Sequence, residues 1–176
     1  MAKRRPSGDG MVRKRDDGRW EGRIVVGHKR DGESIFHYAS AKTQKELLTK
    51  LHQSIEQYRD VDLSEDSKIP LSEWLDRWIE NYVSPSVRPS TLKGYRTYIE
   101  SYIKPRLGDK QVSKITAADV QALYRELKKN GRINEDAERG YTLSGTTIRR
   151  VHGVLHQAMD AAVRERLTAK NPTDGV

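Results

Sequence analysis

The sequence has no cysteine among its 176 residues. Disulfide bonds and thiolate metal sites are therefore excluded. It also lacks an apolar run long enough to span a membrane, and its first ten residues, MAKRRPSGDG, contain no apolar segment that could serve as a signal peptide. These absences predict a soluble cytoplasmic protein with no membrane partner.

Apolar residues are scarce and charged residues are abundant, at 35% and 33% of the chain. This composition predicts a thin core and a heavily charged surface. Lysine and arginine number 33 against 25 acidic residues, which gives a net charge of +8. The first thirty residues alone hold ten basic and four acidic residues. A local excess of this kind favours a polyphosphate partner such as DNA.

The N-terminal third has the pattern of a small α+β unit. Apolar residues alternate between 11 and 40, and Asp17-Gly18 and Asp31-Gly32 interrupt the alternation as hairpin turns do. The pattern predicts three antiparallel strands near 11–15, 19–26 and 34–40. A helix then begins at the capping pair Thr43 and Glu46. We predict a flexible basic arm over 1–10 and a folded unit over 11–60.

The remainder of the chain predicts an all-α unit. Residues 61–69 are polar and aperiodic, as in a linker. Apolar residues at helical spacing then predict four helices: 70–82, from Ser90 to a stop at Pro105 and Gly108, from Thr116 to about Leu127, and from Ser144 onward. A long charged loop precedes the last of them. Four amphipathic helices can close one bundle, which we place at 70–172, with 173–176 as a connector.

No constellation in the sequence predicts catalysis. His152 and His156 have the i, i+4 spacing of zinc-binding pairs, but HGVLH lacks the glutamate of the metalloprotease pattern and no third ligand is evident. There is no phosphate-cradling glycine loop and no nucleophile elbow. We therefore predict no catalytic residue, metal, cofactor or small-molecule substrate in this chain.

Nucleic-acid binding is better supported by the pattern. Alternation in GRWEGRIVV places Trp20 and Ile24 on the face that would meet the helix, and Arg19 and Arg23 on the opposite face. Arg13 and Arg15 flank them on the preceding strand. Arginine can bind a guanine edge with both arms in the major groove, although a solvated sheet surface is the alternative. In the bundle, hydroxyl groups and basic side chains near the helix starts could contact phosphates. The alternative is that they cap the helices and form ordinary charged, solvent-facing surfaces.

Three longer segments resemble a known family. They are SEWLDRWIENYV, RPSTLKGYRTYIESYIKPRLGDKQVSKITAADVQAL and LSGTTIRRVHGVLHQAMDAAVRERLTAKNP. They resemble the SAM-like core-binding domain of the tyrosine recombinases, the phage and conjugative-transposon integrases. GRWEGRI followed by AKTQKEL is similar, more weakly, to the AP2-like arm-binding domain of the same proteins.

The resemblance implies a role and a set of residues. Such proteins integrate and excise mobile elements; the sheet would bind arm-type double-stranded DNA, the bundle would bind core-type sites, and the protein would self-associate on DNA. The catalytic domain, with its tyrosine, would follow Asn171-Pro172, so this chain would be a fragment without catalytic residues, working at the bacterial nucleoid. The implied DNA-binding residues are Arg13, Arg15, Arg19, Arg23 and His37 in the sheet, and Ser90, Thr91, Lys93, Arg96, Thr146, Arg149, Arg150 and His152 in the bundle.

Two other functions remain compatible with the sequence. One is a complete DNA-binding transcriptional regulator or recombination directionality factor, which would need no further domain. The other is an adaptor whose bundle binds protein instead of DNA.

Overall fold

A computed structural model of the chain describes residues 11–59, 62–134, 138 and 140–176. The predicted basic arm, 1–10, lies outside the described residues. The chain divides into two compact units, Met1–Glu65 and Asp66–Val176. Within the described part, no helix has both the length and the apolar character needed to cross a bilayer.

The first unit, called the sheet unit below, is a three-stranded antiparallel meander followed by a helix. Its elements are β1 (Met11–Lys14), β2 (Trp20–His28), β3 (Ser34–Ala41) and α1 (Gln44–Gln57), and the strand order is β1-β2-β3. Both predicted Asp-Gly turns are present, with φ of 80° at Gly18 and 85° at Gly32. Thr43 caps α1 by accepting a 3.2 Å hydrogen bond from the Glu46 N–H. The predicted α+β class is thereby confirmed.

The core of the sheet unit forms between one face of β2 and the leucines of α1. Ile24 and Val26 are buried against Leu47 and Leu51. Gly22 lies on the same face, and a Cβ there would be 2.7 Å from the Leu51 side chain. β2 therefore presents a smooth inner face to the helix because a side chain is missing where Leu51 packs.

The segment predicted as a linker, 61–69, carries packed side chains. Leu63 is buried in the core of the sheet unit, and its N–H donates to the Val26 carbonyl at 2.9 Å. This contact extends the sheet unit beyond residue 60. Ser67 is also buried, in a short 3₁₀ turn, and Ile69 packs against the core of the second unit. The segment packs although its sequence is polar, because Leu63 alone attaches it to the core of the sheet unit.

The second unit, called the helical unit below, contains the predicted helices with extra turns. They are α2 (Leu71–Trp78) with a π-helical turn at Ile79–Val83, α3 (Pro89–Tyr98) with a π-helical turn at Ile99–Ile103, α4 (Lys104–Leu107), α5 (Ala117–Asn130) and α6 (Gly145–Arg164). Thr116 and Asp119 form a full capping box at the start of α5, and the Ser144 hydroxyl caps α6. The predicted helix starts at Thr116 and Ser144 are therefore confirmed.

The predicted helix stop at Pro105 is wrong. The helical path passes from α3 through the π-helical turn and into α4, and it ends only at Gly108. Proline removes one backbone donor from such a path. Arg106 compensates, because its Nη1 lies 3.5 Å from the Ser101 carbonyl and 3.3 Å from the Tyr102 carbonyl. The wider turn together with this arginine allows the helix to continue.

The core of the helical unit is arranged around α6. Val151, Leu155, Ala158 and Met159 are fully buried on one face of this helix. Trp74 of α2 packs on them and donates its indole N–H to the Ala158 carbonyl at 2.9 Å. The opposite face of α6 is left for polar side chains.

The close approach of Gly27 to Leu63 predicts the effect of adding a side chain at Gly27. A Cβ at Gly27 would lie 2.1 Å from the Leu63 carbonyl oxygen, so Gly27→Ala should displace this segment. We expect a loss of about 1–3 kcal/mol of stability, as in overpacked sites, together with loss of hydrogen-exchange protection at the Leu63 amide. The matched control is Gly153→Ala in α6, where a Cβ meets nothing within 4 Å. Full protection of the Leu63 amide in Gly27→Ala would contradict this reading of the contact.

Candidate nucleic-acid interface

The outward face of the sheet is opposite α1 and carries two of the predicted arginines. Strand register pairs Arg13 with Glu21, and Arg23 with Met11 on one side and Tyr38 on the other. Residues paired directly across an antiparallel ladder share a face. Because Ile24 and Val26 point inward, this set points away from the helix. The predicted orientation of Arg23 therefore agrees with the register.

Arg23 is held by an aromatic ring. Its guanidinium carbon lies 4.2 Å from the centroid of Phe36, and no carboxylate forms an ion pair with it in the described part of the chain. Stacking on a ring fixes the plane of a guanidinium without using its N–H donors. The result is a preorganised cation with free donors, with the half-exposed Val25 and Tyr38 beside it on the outward face.

The other predicted arginines of the sheet unit lie in more acidic surroundings. Arg13 forms a 3.4 Å ion pair with Glu21, and Arg15 lies 3.7 Å from the same carboxylate and 3.6 Å from Asp17. Arg15 and Arg19 flank the turn between β1 and β2 rather than lying within the strands. Exposed ion pairs of this kind are weak, about 0–1 kcal/mol, so they orient these side chains without removing them from use.

His37 does not lie with the arginines. It pairs with Ile24 across the β2–β3 ladder, which places it on the inner face, and its ring is 5.3 Å from the ring of Tyr58. The register therefore places His37 on the opposite face of the sheet from Arg13 and Arg23. The residues that pattern reasoning missed are Phe36 and Tyr38. Applying the same alternation to SIFHYAS would have placed both of them outward and His37 inward.

In the helical unit, the predicted residues of α3 separate into two groups. Ser90, Thr91 and Lys93 are exposed in its first turns, and Lys93 has no ion pair within the described residues. Arg96 is bound to Glu80 at 2.7 Å. The start of α3 therefore offers hydroxyls and one ammonium group without an ion pair, whereas Arg96 is oriented by an exposed ion pair.

The start of α6 presents a similar arrangement. Thr146, Arg149 and Arg150 are exposed, and the Arg149 guanidinium lies 3.5 Å from the Thr146 hydroxyl. His152 is different, since it is partly buried and its Nδ1 is 2.7 Å from the Tyr124 hydroxyl. Burial lowers the pKa of His152, and the nearby charge of His156 lowers it further. Burial also raises the pKa of Tyr124. His152 therefore links α6 to α5.

Several other cations of the helical unit are engaged within the fold. Lys104 contacts Asp76 and Glu100, Arg106 contacts Glu126, and Lys110 contacts Asp119 at 2.5 Å. These pairs reduce the number of basic groups that an anionic partner could meet. The remaining exposed bases include those at the starts of α3 and α6.

The helical unit matches a known family. Residues 71–128 match the family described as phage integrase, N-terminal SAM-like domain. The phage integrase SAM-like domain of Moorella thermoacetica is 36% identical, covering 64% of this chain and 86% of that domain, with a TM-score of 0.49. The family match runs from the start of α2 into α5 and covers about a third of the chain.

Two further proteins are similar over nearly the whole chain. An integrase from Saccharopolyspora erythraea is 23% identical over 173 residues, which are 96% of this chain and 37% of that protein. A lambda integrase tetramer, crystallised on a Holliday junction, is 18% identical over 94% of this chain and 46% of that one, with a TM-score of 0.52. The second likeness concerns the fold alone. The chain thus spans less than half the length of either protein.

The environment of His152 predicts how the stability of the helical unit depends on pH. An unfolded histidine titrates at about 6.5, whereas the pKa of His152 in the folded chain is lower. The unfolded state therefore takes up the proton first, so the stability from this group is complete above about pH 6.5 and is lost as the pH falls below it.

The test compares urea unfolding of wild type and His152→Gln between about pH 7.5 and about pH 5.5. We expect the variant to lose less stability on acidification. Tyr124→Phe is the control, because it keeps the ring that buries His152 and should keep the slope. Equal slopes for wild type and His152→Gln would contradict the assignment.

Proposed function

We propose that this chain is the DNA-binding portion of a site-specific recombinase of the integrase family. The sheet unit binds one class of duplex site, the arm-type repeats inside a mobile element. The helical unit binds the core-type sites at which strands are exchanged. The match of residues 71–128 to the phage integrase SAM-like family supports the proposal, as does a fold similar to that of a lambda integrase bound to a Holliday junction.

The observation that carries the proposal is the outward face of the sheet. An antiparallel ribbon can enter the major groove, and a bidentate arginine–guanine contact is the commonest specific pairing there. Arg23 is suited to this contact because Phe36 fixes its plane and leaves its N–H donors free. The exposed Val25 and Tyr38 lie beside it. A merely solvated surface would not need a guanidinium stacked on an aromatic ring.

In the helical unit, exposed basic side chains without an ion pair support the proposed binding of core-type DNA. Lys93 at the start of α3 and Arg149 and Arg150 at the start of α6 are exposed beside hydroxyl groups. Hydroxyl groups, basic side chains and the N-termini of helices are the protein groups that most often bind DNA phosphates. We assign these residues to positioning on the DNA backbone rather than to reading of the bases.

Strand exchange is proposed for the whole protein, with several copies assembled on DNA, as in the lambda integrase tetramer. The proposal assigns no nucleophile to the described side chains. The hydroxyls of Tyr82, Tyr95 and Tyr124 meet Glu165, Gln157 and His152. In the described residues no tyrosine hydroxyl is hydrogen-bonded to lysine or arginine, the groups that would hold a scissile phosphate.

Arg23→Ala tests base reading by the sheet. We expect a loss of about 1–3 kcal/mol on the preferred site and a relaxed preference at one base position. Duplexes selected from a random library by the full chain supply the site, and binding is then measured on the selected and scrambled sequences. Lys45→Ala is the charge-matched control, since Lys45 is exposed on α1, the helix on the inner face of the sheet. Equal losses on both duplexes would reduce Arg23 to a backbone contact.

Lys93→Ala tests the phosphate contact of the helical unit. Removal of one phosphate-bound cation should weaken binding to all sequences alike and lower the log–log salt slope by about one. Lys114→Ala, an exposed lysine in the 3₁₀ turn before α5, is the control and should leave the slope unchanged. An unchanged slope in Lys93→Ala, or the same fall in both variants, would remove Lys93 from the interface.

A further inference from the structure

The outward face of the sheet unit has a polar end and an apolar end. Glu21 pairs with Arg13 at the polar end, and Val25 pairs with Phe36 at the apolar end. Arg23 lies on β2 between Glu21 and Val25, and residues two apart on a strand share a face. The arginine therefore stands where the character of the surface changes.

Three apolar side chains around Arg23 are about half exposed. They are Met11 and Tyr38, which pair with Arg23 on the two neighbouring strands, and Val25, two residues further along β2. Among the described residues six large apolar side chains are exposed, and three of the six lie on this face. Single exposed apolar residues are ordinary, whereas a group of them on one face is typical of a binding surface.

The Arg23 side chain lies along the sheet, toward the apolar end. Its guanidinium carbon is 4.2 Å from the centroid of the Phe36 ring, and Phe36 is the residue opposite Val25. Residues directly opposite each other have Cβ atoms about 4.5–5.5 Å apart. The guanidinium therefore lies in the row of Val25 instead of extending away from the sheet, so neighbouring base pairs of one DNA site can meet both groups.

The chemistry of this surface matches two different base edges. In the major groove, guanine presents two acceptors, cytosine an amino donor and adenine one of each, whereas thymine adds a methyl group at C5. An arginine with free donors matches guanine, and apolar side chains beside it match the thymine methyl group. Phosphates alone would leave Val25 and Met11 without an apolar partner.

We propose that Val25, with Met11 and Tyr38 beside it, contacts the C5 methyl group of a thymine within two base pairs of the guanine bound by Arg23. The inference rests on the proposed function, since it requires the outward face to enter the major groove of duplex DNA. Residues two apart on a strand are about 6.6–6.8 Å apart, close to two base-pair steps of about 3.4 Å. Val25 thus decides which guanine-containing sequences the sheet unit prefers.

An unpaired strand is the other nucleic acid that exposed aromatic residues on a sheet can bind, by base stacking. The geometry favours the duplex. The guanidinium of Arg23 already covers the Phe36 ring. The rings of Phe36 and Tyr38 are 6.3 Å apart and inclined at 58°, so they do not form a continuous platform for stacked bases.

The test removes the methyl group and nothing else. Duplexes selected from a random library by the full chain are remade with uracil in place of each thymine in turn, and binding is measured for wild type and Val25→Ala. Wild type should lose about three- to fivefold in affinity at a thymine near the guanine, as expected for one buried methyl group. Val25→Ala should bind the original duplex more weakly than wild type and lose nothing further with uracil at that position.

Ile133→Ala is the matched control, because Ile133 is an exposed apolar residue of the helical unit. This variant should keep the full wild-type loss with uracil. Wild-type binding that is indifferent to uracil at every thymine would overturn the inference, and so would an equal uracil effect in wild type and Val25→Ala. Tighter binding of one selected strand than of the duplex would also overturn it.

Failure of the proposed function gives a different result. Arg23→Ala would then bind the selected and scrambled duplexes as wild type does. If Arg23→Ala relaxes the preference for guanine while uracil has no effect, base reading by the sheet stands and the thymine contact is wrong.

Discussion

The alternation of side chains along β2 is the constraint on which the candidate interface depends. α1 offers Leu47 and Leu51 to the sheet, and only the face with Ile24 and Val26 can cover them. A slip of one residue in register would exchange the two faces and bury Arg23 beneath the helix. The need to bury a few leucines therefore decides which side of the sheet carries the arginines.

The same constraint operates in the helical unit, where α6 is the central helix. One face of α6 is fully buried, with Leu155 and Met159 at its centre. Its other side holds polar groups that link neighbouring elements, His152 to Tyr124 of α5 and Asp160 to Asn171. The helix thus stabilises the bundle by apolar packing and orders the segment after it by hydrogen bonds. The Asn171 side chain is fully hydrogen-bonded in that segment.

The net charge of +8 overstates the basic surface available to a partner. Lys104 and Arg106 are held by carboxylates of neighbouring helices, and Arg96 is held by Glu80. Exposed pairs of this kind contribute little stability, about 0–1 kcal/mol. Their consequence is positional, because they match charges on parts of the bundle and leave Lys93, Arg149 and Arg150 uncommitted. Exposed basic residues without an ion pair among the described residues thus lie at the starts of α3 and α6 and also on α5, at Arg125, Lys128 and Lys129.

Local pattern determined much of this protein. The three strands, both Asp-Gly turns and the helix starts at Thr116 and Ser144 follow from interactions among residues close in sequence, so they could be predicted. Tertiary structure decided what depends on partners distant in sequence. Helix continuation through Pro105 depends on Arg106, and burial of Leu63 depends on the space at Gly27. Asp174 likewise lies near His156 only because the chain folds back after α6. Residue spacing in the sequence does not predict contacts between segments that only the folded chain brings together.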